Sequence, residues 1–508
     1  TTLWQSRDAY MRAERSIIAL EEAPKVKGFV SVTLNEPKVM FDTSVALLSG
    51  YEPKIQLPLG PQQDVEKDRM NKAERFLLGV LRELDKRQFA QGRERFLREL
   101  AWYICTGWYA AFPFIDRGTK GRPEFRCLLY DPITCYPQWG SKGLRRLVRT
   151  YFTDLASAKL MAEENEWQFT PNTDKKEVEV INYWEHNADG VWNSVLIDSQ
   201  LSKPMTEEDF PSIPVMVGAV AGVPYGPTSH DSLHWLTHRG ESVITTNLNT
   251  YKQMNRWTTL AMQILQDTAY PQIEDFTMDG TPQLKKEEVQ PGAIHHRKVG
   301  EPLEVFKNAS LPPEFQVVMS MLSGSAQRGA LPYITFGGVQ FQMSGFALSQ
   351  LYSGIRHKLI PYADVMQFVL GSICTEFLRQ YRVGKFSKVK LLTERSERVG
   401  KGETFVEEYE PGDIPEATWV DVKITLSLPT DKTQQVLMAR QALTEPQLLS
   451  RETLWDEYLD VQDRNLEYQR IINDKIANLP IFTTIGLAEQ LKEKAAALRA
   501  QGKELYAQ

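Results

Sequence analysis

Two helical segments that flank a β-prone insertion constrain the fold of this chain most. Residues 231–266 and 313–328 have apolar side chains at helical spacing. The segment between them, 268–312, is interrupted by prolines and glycines, which predicts short strands and turns. Because the insertion leaves one helix and enters the next, we expect the two helices to form an antiparallel pair with the insertion at its tip.

A Gly-rich loop and a long helix follow this pair. The loop, 330–345, contains Gly337 and Gly338, which allow it to change shape at low steric cost. Helical periodicity returns over 346–382, and Pro361 within that stretch predicts a kink.

The rest of the chain also divides into helical and β-rich segments. Within 113–230, the pair Asp189-Gly190 separates two β-prone runs and predicts a hairpin in a set of antiparallel strands. Residues 28–57 alternate weakly between apolar and polar, which also indicates short strands. The other predicted elements are helices at 6–22, over 62–112 with a break after Gly92, and at 431–508, and strands over 386–428.

The chain of 508 residues is too long for a single compact core, so we expect several structural modules. Its hydrophobic fraction of 42% and charged fraction of 24% are typical of a folded protein. The formal net charge of −6 gives no argument for tight DNA binding, which needs clustered Lys and Arg to release counterions.

The sequence predicts no enzymatic activity, cofactor or metal site. None of the four cysteines, at 105, 127, 135 and 374, belongs to a CxxC pair, and free thiols are expected. The phosphate-binding GxxxxGK[ST] motif, HExxH and GxSxG are all missing. His295 and His296 are adjacent in a predicted strand or turn, where neighbouring side chains point apart. A catalytic site assembled from residues that are distant along the chain stays open.

The sequence also predicts no membrane segment. Its first residues are charged early and lack the apolar core of a signal peptide. The most apolar window, Val215 to Val223, is short and contains Gly218 and Gly222. A bilayer-spanning helix needs about 20 apolar residues.

Six segments, in this order along the chain, resemble portal proteins of tailed bacteriophages. They include a helix that runs into a small-residue turn and a strand, a Tyr-x-Pro segment, and a Leu-Pro-x-Asp start before a Ser-Arg-Glu-Thr helix start. The segments are GFVSVTLNEPKVMF (28–41), LAWYICTGWYAAFPFID (100–116), YDPITCYPQWG (130–140), the stretch from AYPQI to VGEPL (269–303), MSGFALSQLYSGIRHKLIPYADVM (343–366) and the stretch 426–471.

The resemblance implies an α+β multi-module portal fold with a β-rich wing, long stem helices, a small α/β clip and a helical crown. Its implied boundaries are 1–230 for the N-terminal region and wing, 231–266 and 313–328 for the stem helices, 267–312 for the clip, 329–345 for the tunnel loop, 346–430 for the long kinked helix and wing return, and 431–508 for the crown.

The resemblance also implies a ring of about twelve subunits at one capsid vertex, assembled in the cytoplasm of a bacterial host. Such a ring nucleates procapsid assembly with the major capsid protein and scaffold. It docks the terminase large subunit, and later the head–tail adaptor and tail. Double-stranded DNA passes through it without sequence specificity during genome packaging and ejection.

Three groups of residues are candidates for these contacts. The clip residues mix both charge signs, which favours register and specificity at a partner contact, although a solvated hairpin loop explains them equally simply. The tunnel-loop residues also fit an ordinary Gly turn, and the stem cations also fit ion pairs with the next subunit. The groups are Asp275, Asp279, Lys285, Lys286, Glu287, Glu288, His296, Arg297 and Lys298 in the clip; Gly337, Gly338, Val339, Gln340, Phe341 and Gln342 in the tunnel loop; and Arg239, Lys252, Arg256 and Arg328 as channel or inter-subunit cations.

Two other classes of protein remain as alternatives. One is a different phage head–tail structural protein, such as an adaptor or a scaffold-like protein. The other is a soluble enzyme without recognisable motifs, which predicts a monomer or small oligomer with a closed ligand pocket. Particle size separates the ring from the enzyme.

Overall fold

A computed structural model describes most of the chain in residue detail. The described residues are 2–21, 31–50, 53–57, 64–118, 122–172, 174–224, 237–269, 273–274, 304–305, 313–331, 345–395, 403–415, 419–424 and 471–472.

Helices and strands alternate along these residues. The helices are α1 (Thr2–Ile18), α2 (Glu36–Ser49), α3 (Asp64–Ala90), α4 (Phe96–Cys105), α5 (Leu155–Glu164), α6 (Leu248–Ala269), α7 (Glu314–Gly329) and α8 (Gly345–Val383). The strands are β1 (Lys54–Gln56), β2 (Trp108–Arg117), β3 (Pro123–Leu129), β4 (Cys135–Gly140), β5 (Gly143–Asp154), β6 (Glu177–His186), β7 (Val191–Ile197), β8 (Gln200–Glu208), β9 (Met216–Ala219), β10 (Ile273–Glu274), β11 (Glu304–Val305), β12 (Val389–Arg395), β13 (Glu403–Tyr409) and β14 (Asp421–Lys423).

The chain forms two compact units. The first unit contains 1–58, 84–384 and 416–428, and the second contains 59–83, 385–415 and 429–508. The chain therefore passes between the units several times, which is why no single point along the sequence marks a boundary.

A five-stranded antiparallel sheet in the order β4-β5-β6-β7-β8 dominates the middle of the first unit. The predicted hairpin is confirmed, because His186 pairs with Val191 across the turn that contains Asp189 and Gly190. Helix α5 covers one face of the sheet, where Ala158 and Ala162 pack against buried valines of β6 and β7. The antiparallel strands predicted within 113–230 are thus confirmed, whereas α5 was not predicted.

A second sheet, β3-β2-β9, packs against the long helix α8. Phe125 of β3 contacts Phe377 of α8 at a ring-centroid distance of 5.9 Å. The Gln380 side chain accepts a hydrogen bond from the amide of Ile115 and donates one to the carbonyl of Pro113. Helix α8 continues through Pro361 and matches the predicted 346–382 closely.

The prediction of strands over 28–57 is wrong for most of that segment. The structure has helix α2, with Pro37 in its first turn, and only the short strand β1 after it. Proline is tolerated in the first turn because the amide that it lacks has no partner within the helix there. Met40, Ser44 and Leu48 repeat every four residues and are buried, a helical period that the weak alternation concealed.

The predicted helix over 231–266 is not continuous, because residues 238–247 interrupt it and α6 begins at Leu248. Thr237 is helical, residues 231–236 lie outside the described residues, and the interruption ends in a 3₁₀ turn at Thr245–Asn247. Backbone bonds hold this stretch, since the Glu241 amide donates to the carbonyl of Val220 and the Val243 amide to that of Cys105. Because these two amides donate to residues that are distant along the chain, they cannot also donate to carbonyls four residues earlier, as a helix requires.

Gly107, in the turn between α4 and β2, makes this close approach possible. It has a φ of +89°, and an added Cβ would lie 2.7 Å from the backbone carbon of Glu241. We expect Gly107→Ala to lower the free energy of unfolding by about 2–4 kcal/mol, measured by chemical denaturation.

Gly92→Ala is the matched control for this substitution. Gly92 also has a positive φ, of +70°, but nothing lies within 4 Å of an added Cβ. Gly92→Ala should lower the free energy of unfolding by only about 1 kcal/mol, which is the cost of placing alanine at a positive φ. Equal losses for the two variants would show that the contact between Gly107 and Glu241 is not tight.

In the second unit, residues 64–83 of α3 pack against the β12–β13 hairpin and the 3₁₀ turn at Pro411–Asp413. Phe76 contacts Tyr409 with ring centroids 5.3 Å apart, and Lys72 forms an ion pair with Asp413 at 2.6 Å. The strands predicted within 386–428 are confirmed here and in β14. The helical crown predicted over 431–508 lies outside the described residues, apart from two helical residues at 471–472.

Candidate inter-subunit surface and stem cations

Helices α6 and α7 form the antiparallel pair that the sequence predicts. At one end, the Asn247 side chain just before α6 donates a hydrogen bond of 2.7 Å to the carbonyl of Ala326, near the end of α7. Farther along, Trp257 in the middle of α6 contacts Phe315 at the start of α7, with ring centroids 6.4 Å apart. The start of α6 therefore lies beside the end of α7, and the start of α7 lies beside the middle of α6, so the two helices are antiparallel.

A two-stranded ladder lies between α6 and α7 along the chain. Strand β10 follows α6 after three residues and pairs antiparallel with β11, with Ile273 opposite Val305 and Glu274 opposite Glu304. The two described ends of the insertion, 273–274 and 304–305, are thus paired with each other. Residues 275–303 lie outside the described residues, and the placement of the insertion at the tip stays a prediction.

Buried polar side chains fix which face of α6 points inward. Asn255 accepts a hydrogen bond of 2.9 Å from the amide of Leu34, and Thr259 accepts one of 3.0 Å from the amide of Val32. Both side chains are buried, one turn apart, beside the apolar Tyr251. A reading of the sequence by apolar spacing alone misses such positions, because Asn and Thr look like surface residues.

Both helices of the pair also expose apolar side chains. Val317 and Met321, one turn apart on α7, are 60% and 68% exposed. Leu260 and Leu265 of α6 are also exposed, and Trp257 remains 39% exposed despite its contact with α7. Exposed apolar side chains of this kind make the helix pair a candidate contact surface. We call these residues, with Met262, the stem apolar surface.

The three predicted cations of the helix pair are exposed. Lys252 and Arg256 lie on α6, one turn apart, and Arg328 lies near the end of α7. Arg256 directly precedes Trp257, and both Lys252 and Arg256 lie in the part of α6 that runs beside α7. The cations and the exposed apolar side chains therefore occupy the same length of the helix pair.

Arg239, the fourth predicted cation, has a different environment. Its guanidinium lies 3.9 Å from the ring centroid of Trp139 and 5.8 Å from that of Trp108. Trp108 is fully buried. Arg239 therefore packs on aromatic rings within the first unit, away from the three cations on α6 and α7.

The other predicted contact residues lie outside the described part of the chain. This holds for the whole tunnel-loop group, Gly337 to Gln342, and for the whole clip group, Asp275 to Lys298. Their roles stay predictions.

Among the described residues, no group of three or more His, Cys, Asp and Glu side chains is placed to hold a metal ion. All four cysteines are free and buried. Burial raises the pKa of each thiol, to about 11 for Cys135, so these thiols are poor nucleophiles at neutral pH. In the same part of the chain, no helix has both the length and the apolarity required to cross a bilayer.

Comparison with known proteins returns no relative. No protein-family model matches this chain, and no curated protein sequence matches it.

Proposed function

We propose that this chain is the portal subunit of a tailed bacteriophage. About twelve copies form a ring at one capsid vertex, through which double-stranded DNA enters during packaging and leaves during ejection. The ring binds the terminase large subunit first and the head–tail adaptor later, and it nucleates procapsid assembly with the major capsid protein and scaffold.

The observation that carries the proposal is the helix pair α6–α7 with the β10–β11 ladder between the two helices along the chain. The pair supplies a stem, and the insertion after β10 supplies a terminal contact module, in the order that the resemblance implies. The exposed apolar side chains of the helix pair favour contact with a partner, and a second copy of the same chain offers the same surface.

The charges of the helix pair suit a channel that DNA slides through. Three cations per subunit, Lys252, Arg256 and Arg328, give weak and salt-screened phosphate contacts when they are repeated around a ring. The net charge of −6 for the whole chain keeps the overall attraction to DNA low. The ring therefore contacts DNA without binding it tightly.

The first test is the particle mass of the purified chain together with an end-on view by electron microscopy. We expect rings of about 700 kDa, twelve times the chain mass of 58.1 kDa, with a central hole that admits duplex DNA. A compact monomer or dimer that persists at high concentration and with scaffold protein present would contradict the proposal and favour the enzyme alternative.

A further inference from the structure

A cluster of ionisable side chains lies where α1 contacts the stretch that leads into α6. Glu14 of α1 is only 2% exposed. Its Oε1 accepts a hydrogen bond of 2.5 Å from the hydroxyl of Thr245, in the 3₁₀ turn just before α6. Its Oε2 is buried and has no hydrogen-bond partner within the described part of the chain. This carboxyl group thus joins α1 to the base of α6.

Further titratable groups from three elements lie near this carboxyl group. From the 237–247 stretch come Glu241 and His238, which contact each other at 4.0 Å, and the ring of His238 also packs on Tyr10 of α1 at 5.1 Å. From α8, the hydroxyl of Tyr362 donates to the carbonyl of Glu241.

The cation next to Glu14 along the chain is already paired with another carboxylate. Arg15, the next residue after Glu14 along α1, forms a paired hydrogen bond with Asp131, each contact 2.8 Å long. Among the described residues, no cation forms an ion pair with Glu14. Besides burial, the Glu241 carboxylate lies close enough to raise the pKa of Glu14, and the Ser242 amide and the Arg15 charge oppose that rise only in part. An ionised Glu14 is costly in these surroundings, whereas a protonated one is compatible with them.

We propose that this junction between α1 and the base of α6 is a pH-sensitive joint, tight when Glu14 is protonated and loosened when it ionises. The inference does not depend on the portal proposal, because it uses only contacts within the first unit.

The pKa of Glu14 determines in which direction, and over which pH range, the stability of the joint changes. Burial raises the pKa of Glu14 to about 7, with Glu241 adding to the rise and the Thr245 hydrogen bond opposing it. An acid whose pKa is raised in the folded state binds its proton more tightly there than in the open state. Its stabilising contribution is therefore full below the ordinary pKa of 4.5 and is lost as the pH rises to about 7.

Hydrogen exchange of the full-length protein, corrected for intrinsic exchange rates, tests the joint. Protection of amides in 242–250 should fall roughly 30-fold between about pH 5.5 and about pH 8.5, if opening returns the pKa of Glu14 from about 7 to 4.5. Glu14→Gln, which is always neutral, should keep high protection at both pH values. Glu21→Gln, an exposed position just after α1, should behave like the unmodified chain.

Two neighbouring substitutions should move the midpoint of this transition in opposite directions. Thr245→Ala removes the hydroxyl that stabilises the carboxylate, so the midpoint should rise. Glu241→Gln removes a like charge, so it should fall. The proposal is overturned if protection in 242–250 is independent of pH in the unmodified chain, or if Glu14→Gln shows the same fall. It is equally overturned if both neighbouring variants leave the midpoint unchanged.

Discussion

Arg7→Ala should lower the free energy of unfolding of the first unit by about 3–5 kcal/mol. Arg7 is fully buried. It forms an ion pair with Asp8 at 2.6 Å and donates to the carbonyls of Pro132 and Cys135, each at 3.1 Å. Its guanidinium also lies 5.1 Å from the ring centroid of Trp108. Truncation leaves a buried carboxylate and two carbonyls without their donor, and it opens a cavity beside the rings.

Chemical denaturation monitored by tryptophan fluorescence measures this loss, because Trp4 and Trp108 both flank the guanidinium. Arg12→Ala is the matched control, since Arg12 is exposed on the same helix and should change stability by less than about 0.5 kcal/mol. Arg7→Lys should recover only part of the loss, because an ammonium lacks the planar fork that reaches several acceptors. If Arg7→Ala is as stable as the control, the guanidinium is not the link between α1 and the 132–135 turn.

Met321→Asp should prevent ring assembly while leaving the subunit folded. Met321 is 68% exposed in the single chain, so the substitution costs little within it. Within an apolar contact between subunits, a carboxylate weakens each contact by about 2–4 kcal/mol, or roughly 30-fold to 1000-fold in the association constant. The loss recurs at every contact around the proposed ring, so we expect monomers under conditions in which the proposal expects the unmodified chain to assemble.

Sedimentation and electron microscopy measure assembly, and circular dichroism checks that the helices remain. Ser320→Asp is the control, because Ser320 is exposed on the same helix about 100° around its axis from Met321. It adds the same charge and should leave assembly intact. Rings of normal yield from Met321→Asp would show that the stem apolar surface is not a subunit contact, and this result would leave the pH-sensitive joint untouched.

The sequence predicted the turns and helices that depend only on neighbouring residues. The turn at Asp189-Gly190 and the order of helix, insertion and helix follow from side-chain period and from where glycine and proline interrupt it. The Asp189-Gly190 turn and the helix ends on either side of the insertion, at 269 and 314, are found within a few residues of the predicted positions, whereas α6 begins well after 231. The turn and these helix ends required no knowledge of contacts between distant residues.

Non-local contacts decided the rest. Helix α6 begins at Leu248 because backbone bonds from Val220 and Cys105 hold the preceding residues, and no local signal reports those bonds. Likewise Glu14 is one acidic residue among several in a polar helix until folding places it beside Thr245, 231 positions away along the chain. Its sequence neighbours alone give no reason to single it out.

The sequence by itself determined the Asp189-Gly190 hairpin and the antiparallel arrangement of α6 and α7 on either side of an insertion. Both follow from side-chain periods and from the glycines and prolines that interrupt them. Only the tertiary structure decided which polar groups are buried and which apolar ones stay exposed. Arg7 is fully buried and Met321 is largely exposed, the reverse of what residue type suggests. The physical reason is that burial is a property of what folding brings together, and the free energy of a charge or an apolar side chain depends on those neighbours.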